Sequence, residues 1–306
     1  MMNKLIQLNS NFVSGFIDAE GCFHISIVNS KTNKEGKSVR VIFQISLHEK
    51  DKALLHQIKD YFGVGKVINR SDNVYYYQVT STKDLMAVIE HLEKYPLITQ
   101  KRVDFELFKQ AVYLIISKKH LTKEGLVNIV NIKASMNFGV LSDSLLTEFP
   151  NIKPVERSLL KSKVSIDPDW LSGFVEGEGC FLVNIYKRKD SVLGEGVKLV
   201  FKITQDKRNS EVLALFSSIF DCGKVYNQSP KGGVLDFMVT GLVDITEKVI
   251  PFFLAHPLKG AKLKEFQDFV KVSEMMQNKA HLTKDGLEAI RSRARCARIP
   301  PCGWIY

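Results

Sequence analysis

The chain has 306 residues, 45% hydrophobic and 25% charged, a balance that excludes a disordered or fibrous chain and a length that accommodates two domains with separate cores. Forty-three Lys+Arg against 33 Asp+Glu leave a net charge of +10, which is compatible with a polyanionic partner. Five cysteines without a Cys-x-x-Cys pair argue against a disulfide framework or structural zinc site, and no apolar run reaches transmembrane length, so no membrane partner is expected.

Only Lys4 is basic ahead of the apolar patterning that starts at Phe12, which leaves no room for a signal or transit peptide. Either the protein acts where it is made, or the sequence is a trimmed one. Asn11–Glu20 reads as a helix with Phe12, Val13, Phe16 and Ile17 in one apolar stripe. Phe23–Val28 alternates as a strand, the polar stretch Asn29–Ser38 reads as a loop, and Val39–Leu47 alternates again. Asp51–Phe62 is amphipathic. A Gly-x-Gly turn then opens a hairpin, Lys66–Arg70 and Val74–Thr80, joined by Ser71-Asp72-Asn73. Helices are predicted at Thr82–Tyr95, Lys101–Lys118 and Thr122–Met136.

The chain then repeats itself once. Gly15-Phe-Ile-Asp-Ala-Glu-Gly-Cys-Phe23 returns as Gly173-Phe-Val-Glu-Gly-Glu-Gly-Cys-Phe181, an offset of 158. Phe43-Gln-Ile-Ser46 and Phe201-Lys-Ile-Thr204 keep that offset. It becomes 161 by Pro96 and Pro257, and by His120-Leu-Thr-Lys and His281-Leu-Thr-Lys. The three extra residues are expected in the second hairpin, around Ser229–Gly233. The fold class is α+β: two α-β-β-α-β-β-α domains, each with an antiparallel sheet. Their predicted extents are 1–137 and 167–294, with a linker over 138–166 and a tail over 295–306, the Arg-rich stretch from Arg291 having no counterpart in the first half.

The first helix of each half carries small residues four apart, Gly15 and Ala19, Gly173 and Gly177. Such a face serves either tight packing within a domain or pairing of the two copies about a pseudo-twofold axis; the duplication favours pairing. Each helix ends in a carboxylate and a glycine stop, Glu20-Gly21 and Glu178-Gly179. An anion in the last turn opposes the helix dipole. Two such carboxylates brought together need a cation, and Mg²⁺ suits oxygen ligands while keeping places for water and phosphate. A solvated helix-end Glu that happens to recur is the competing reading, and the spacing alone does not choose.

Val13-Ser-Gly-Phe-Ile-Asp-Ala-Glu-Gly21 and Leu171-Ser-Gly-Phe-Val-Glu-Gly-Glu-Gly179 resemble the motif of the LAGLIDADG homing endonucleases, and the resemblance extends from about Asn9 to Ala294. It is nearest to single-chain members of fungal organellar introns, which implies an organelle-encoded, mitochondrial, monomeric protein. It implies that Glu20 and Glu178 bind the catalytic divalent metal, Mg²⁺ with Mn²⁺ or Ca²⁺ able to substitute in binding, helped by the carbonyls of Ala19 and Gly177. It also implies a saddle-shaped sheet over the DNA major groove in each half. Metal-assisted hydrolysis of a long asymmetric double-stranded target would leave short 3′ overhangs. Gln205 fits the polar, water-positioning place at the end of the second strand, where the first half has Leu47. Lys101 and Lys224 are candidates for the basic residue near the scissile phosphates, or are ordinary phosphate contacts.

With Phe23, Ile25, Ile27, Val41, Phe43 and Ile45 facing the core, strand alternation turns the opposite residues towards the groove. In the first half these are His24, Ser26, Ser30, Arg40, Gln44, Ser46, Lys66, Arg70, Tyr76 and Gln78. In the second half they are Asn184, Tyr186, Arg188, Lys198, Lys202, Thr204, Lys224, Tyr226 and Gln228. The chief alternative is an RNA-binding maturase of the same fold, with intron RNA as its partner.

Overall fold

The computed structural model describes residues 8–157, 165–228 and 232–296. The chain forms two compact units, 1–165 and 166–306. In the first, α1 (Ser10–Glu20) passes with no connecting residue into β1 (Gly21–Asn29). There follow β2 (Lys37–His48), α2 (Lys52–Phe62), β3 (Lys66–Ser71), β4 (Val74–Val79), α3 (Thr82–Lys94), α4 (Lys101–Ile116) and α5 (Lys123–Lys133). The sheet is antiparallel throughout, in the order β1-β2-β4-β3.

Helix α1 starts because the Asn9 side chain accepts from the backbone N–H groups of Asn11 and Phe12. Its glycine stop is not left-handed. Gly21 has φ −68, and its N–H bonds the Ile17 carbonyl. Glycine stands there because a Cβ would lie 2.6 Å from the Ile17 oxygen, so the chain can fold straight from helix into strand only without a side chain. Gly65 answers a different demand: φ is +81 and a Cβ would lie 2.7 Å from the Tyr77 ring.

One face of this sheet carries the core. Phe23 packs on Phe43, Phe105 and Phe108 with ring centroids 5.3, 5.5 and 5.3 Å away, tying the sheet to α4. The second unit repeats the arrangement with Phe181 against Phe201, Phe266 and Phe269 at 5.2, 5.2 and 5.4 Å. Its elements are α7 (Pro168–Glu178), β5 (Gly179–Lys187), β6 (Glu195–Asp206), α8 (Ser210–Ile219), β7 (Lys224–Asn227) and β8 (Val234–Val239), then α9 to α12, namely Leu242–Asp244, Ile250–Ala255, Lys262–Gln277 and Lys284–Cys296. Sheet order is again antiparallel, β5-β6-β8-β7.

The three extra residues are not all in the hairpin. Register equates Lys66↔Gln78 with Lys224↔Met238, so the offset is 158 on the first strand of the hairpin and 160 on the second. Residues 229–231 of that insertion lie outside the described residues. The helix N-caps Ser81 and Gly241 keep the 160, but the C-caps Tyr95 and His256 differ by 161. The third residue therefore entered the helix, as the π-helical turn Ile245–Val249 between α9 and α10. One extra residue in a helix is accommodated by a local widening to i→i+5 bonding.

Two further expectations are corrected. Part of the segment read as a linker is structured: α6 spans Asp143–Glu148, Lys37 pairs with Glu148, and Arg157 bonds Asp104 and the Ser135 carbonyl. The Arg-rich stretch from Arg291 begins inside α12, where Arg291 pairs with Glu195 at 2.6 Å and Arg293 with Asp268 at 3.2 Å. The tail beyond Cys296 lies outside the described residues.

Candidate active site and nucleic-acid interface

Each unit builds a site at the C-terminal end of its first helix. Val13 to Asp18 are buried, whereas Ala19 and Glu20 emerge half-buried where β1 begins. In the second unit Leu171 to Glu176 are buried, and Gly177 and Glu178 emerge in the same way. Gly15 and Gly173 are buried within these helices.

The residue two before each glutamate does the anchoring. The Asp18 carboxylate accepts from the Ile98 N–H at 2.7 Å, the Thr99 N–H at 3.3 Å and the Thr99 hydroxyl. Burial pushes its pKa up, against the lowering effect of those hydrogen bonds and of Lys101. Glu176 does the same with the N–H groups of Lys259 and Lys262, at 2.8 and 3.3 Å. A buried acid so placed ties the motif helix to the N-terminus of the long helix, α4 or α11, where backbone donors converge.

That tie places a lysine. Lys101 opens α4, and its ammonium donates to the Ala19 carbonyl at 2.8 Å and the Ile17 carbonyl at 3.3 Å. Lys262 opens α11 and donates to the Gly179 carbonyl at 2.6 Å. The positive head sits at the negative end of the helix dipole. Lys262, not Lys224, is thus the counterpart of Lys101. Lys224 is an exposed residue on the edge strand β7, register-paired with Met238. The offset of 161 that relates Pro96 to Pro257 also relates Lys101 to Lys262, so the signal was in the sequence. In the second unit the carbonyl that accepts from the lysine is that of Gly179, where the first unit uses those of Ala19 and Ile17.

Gln205 stands at the end of β6, the place expected of it, with its side chain buried. Its strand register opposite Leu235 puts it on the core side with Phe201 and Ile203; it is 6% exposed, and its amide oxygen accepts from Asn209 at 2.7 Å. Leu47 holds the matching core-side place at 8%. Cys22 and Cys180, beside the helix ends, are held as thiols because burial raises their pKa.

The other face of each sheet is open and polar, in the phase that alternation predicts. Cross-strand pairs on it are Ser26 with Arg40, Gln44 with Gln78 and Ser46 with Tyr76, then Lys66 on the far strand beside Gln78. Gln78 donates to Gln44 at 3.1 Å, and the Arg70 guanidinium lies 5.5 Å from the Tyr76 ring centroid. His24 is exposed; partial burial and then Lys133 lower its pKa. In the second unit the pairs are Asn184 with Lys198, Tyr186 with Gly196, Lys202 with Met238 and Thr204 with Asp236, with Lys224 and Tyr226 on the edge strand. Ser30, Arg188 and Gln228 fall just past strand ends: Ser30 bonds Thr32 in the loop, and Arg188 is held by Asp190. Sequence reasoning did not single out Asp18, Glu176, Lys262 or Asp236.

Each helix end offers oxygen donors, the Glu20 or Glu178 carboxylate and the backbone carbonyl just before it, a set that suits a hard divalent cation. No cage of three or more His, Cys, Asp or Glu side chains occurs among the described residues. An ion held there would complete its shell with water and phosphate oxygens.

A family model described as LAGLIDADG endonuclease matches residues 13–112 and again 171–273. The chain is 41% identical over 291 residues to the probable intron-encoded endonuclease 3 of Neurospora crassa, covering 94% of this chain and 54% of that protein. It is 37% identical to the probable intron-encoded endonuclease 2 of the same organism, over 92% of this chain and 64% of that one. The chain thus spans a little over half to just under two thirds of these relatives. Among solved structures, I-SmaMI bound to uncleaved DNA target in the presence of calcium ions superposes with a TM-score of 0.91 at 37% identity, over 94% of this chain and 98% of that one.

Proposed function

This chain belongs to the LAGLIDADG endonuclease family, and we propose that it is a site-specific endonuclease of double-stranded DNA. It acts as a monomer in intron homing, in the mitochondrion where its gene resides. The observation that carries the reading is the repeated helix end: a half-buried glutamate, Glu20 or Glu178, beside a lysine-held backbone carbonyl, next to an open polar sheet.

Glu20 and Glu178, with the carbonyls of Ala19 and Gly177 just before them, would hold Mg²⁺, and Mn²⁺ or Ca²⁺ would bind in its place. When bound, the ion supplies charge for the attacking and leaving oxygens of phosphodiester hydrolysis. The protein's own part is positional. Lys101 and Lys262 bring a positive charge to the point where negative charge develops on the phosphate. Asp18 and Glu176 fix the helices on which those lysines sit. The polar sheet faces bind the major groove of a long asymmetric target, and each unit cuts one strand, leaving short 3′ overhangs.

Incubating the chain with duplex spanning the intron-free insertion point of its host gene, in Mg²⁺, tests this. The expected product is a double-strand break with 3′ overhangs, lost in Glu20→Gln and in Glu178→Gln. Absence of cleavage together with tight, specific binding of the host intron's RNA would replace the reading with that of a maturase.

A further inference from the structure

The open face of the second sheet contains an acid that a phosphate-binding surface would not keep. Asp236 sits mid-strand on β8, 7% exposed, on the same face as Lys202, Thr204 and Lys224. Its Oδ1 accepts from the Thr204 hydroxyl at 2.6 Å and from Gln228 Nε2 at 3.2 Å, and its Oδ2 lies 3.7 Å from the Lys202 ammonium. Against DNA phosphates such a charge is repulsive. Its value must lie in what it does to its neighbours.

An ionised carboxylate only accepts hydrogen bonds. Thr204 must therefore give its single proton to Asp236, and Gln228 must turn its NH₂ inwards. Both are left presenting oxygen lone pairs outwards. Lys202, drawn to Oδ2, is held over the sheet as a donor instead of swinging out to a phosphate. One buried acid thus fixes the hydrogen-bond polarity of the patch: acceptors at Thr204 and Gln228, a donor at Lys202.

We propose that Asp236 is the specificity-determining residue of the second unit, organising Lys202, Thr204 and Gln228 to read a C·G base pair in the major groove. A C·G pair sets its amino donor, cytosine N4, to one side of two adjacent acceptors, guanine O6 and N7, whereas an A·T pair sets its donor between two acceptors. The first unit has no such device. Tyr76 stands at the position of Asp236, opposite Ser46, and next to it the uncharged amide pair Gln44–Gln78 takes the place of Lys202–Met238. The two sheets therefore read different chemistry, as an asymmetric target requires. The proposal rests on the DNA-endonuclease reading and goes beyond it.

The experiment is selection of duplexes from a randomised pool by the full chain in Ca²⁺, followed by sequencing of what is bound. The wild-type chain should select a site with a C·G pair at one well-defined position. Asp236→Asn keeps the shape and an acceptor for Thr204, but turns an NH₂ towards Lys202. It should relax discrimination at that position by about tenfold while leaving the rest of the site selected. Lys202→Met removes the donor that Asp236 holds and should relax the same position, a second test if the Asp236→Asn chain does not fold. A profile unchanged at every position, or weakened evenly across the site, overturns the role of Asp236 and leaves the endonuclease reading standing. Failure of the wild-type chain to select any sequence overturns both.

Discussion

Asp18 offers a way to separate charge from hydrogen bonding at the anchor of the first site. Replacing it with alanine removes the acceptor for two backbone N–H groups and the Thr99 hydroxyl, all in the buried seam between the motif helix and α4. Each buried donor left without a partner costs about 1–3 kcal/mol, and the cavity adds to that. Allowing for partial relaxation, Asp18→Ala should lower unfolding free energy by about 3–5 kcal/mol, a large share of the roughly 5–15 kcal/mol typical of a folded chain. Asparagine is different. Its oxygen can accept from both N–H groups while its NH₂ faces Thr99, whose hydroxyl rotates to accept. It also removes a charge whose burial is the dominant influence on this group and raises its pKa. A carboxylate with a raised folded-state pKa is destabilising once the pH exceeds its unfolded value, so losing the charge offsets the weaker hydrogen bonds. Asp18→Asn should stay within about 1 kcal/mol of wild type at neutral pH. Urea unfolding followed by circular dichroism measures both variants. Equal losses for alanine and asparagine would show that the charge, not the hydrogen-bond set, holds the helices together.

The lysines divide by position. Lys101→Met and Lys262→Met should each slow cleavage of one strand about 100-fold or more, seen as accumulated nicked plasmid, whereas Lys224→Met should weaken binding and lower the salt slope by about one, with the cleavage step itself unaffected. Gly65→Ala should destabilise by more than about 2 kcal/mol, from left-handed backbone and the Tyr77 contact together, while Gly36→Ala, with φ +66 and nothing within 4 Å of the added methyl, should cost only the backbone share of about 1 kcal/mol; urea midpoints compare them. His91 is bonded to Ser14 and Tyr61, and burial lowers its pKa from 6.5 to about 4. The unfolded chain then binds the extra proton below pH 6.5. The neutral imidazole's contribution is complete above that pH and drains away as pH falls from 6.5 towards 4, by about 3 kcal/mol in all. The fall in urea midpoint across that window should be much smaller in His91→Gln.

Much of this molecule was written in the order of its residues. Alternation of Phe23, Ile25 and Ile27, and of Val41, Phe43 and Ile45, places one face of the first sheet inwards because side chains on a strand alternate by geometry. The same rule sets the open polar face. Duplication fixed the architecture of two like units, because equal patterns bury equal cores: Phe23, Phe43, Phe105 and Phe108 recur as Phe181, Phe201, Phe266 and Phe269. The glutamates at the helix ends were legible from spacing and from the family's motif together.

What only the tertiary structure decided is which distant groups meet. Lys262 and Gly179 are 83 positions apart and touch because Glu176 ties two helices together. Gln205 was a candidate through the family resemblance, for its place at the end of the second strand; the structure buries its side chain on the core side, in phase with Phe201 and Ile203. The third inserted residue was a count in the sequence; its resting place in the π turn 245–249 followed from where the helix caps stayed fixed. Asp236 reads in the sequence as one acid in an apolar strand. Only the pairing of β8 between β6 and β7 gathers Thr204, Lys202 and Gln228 around it, because cross-strand neighbours are set by chain folding and not by the local pattern.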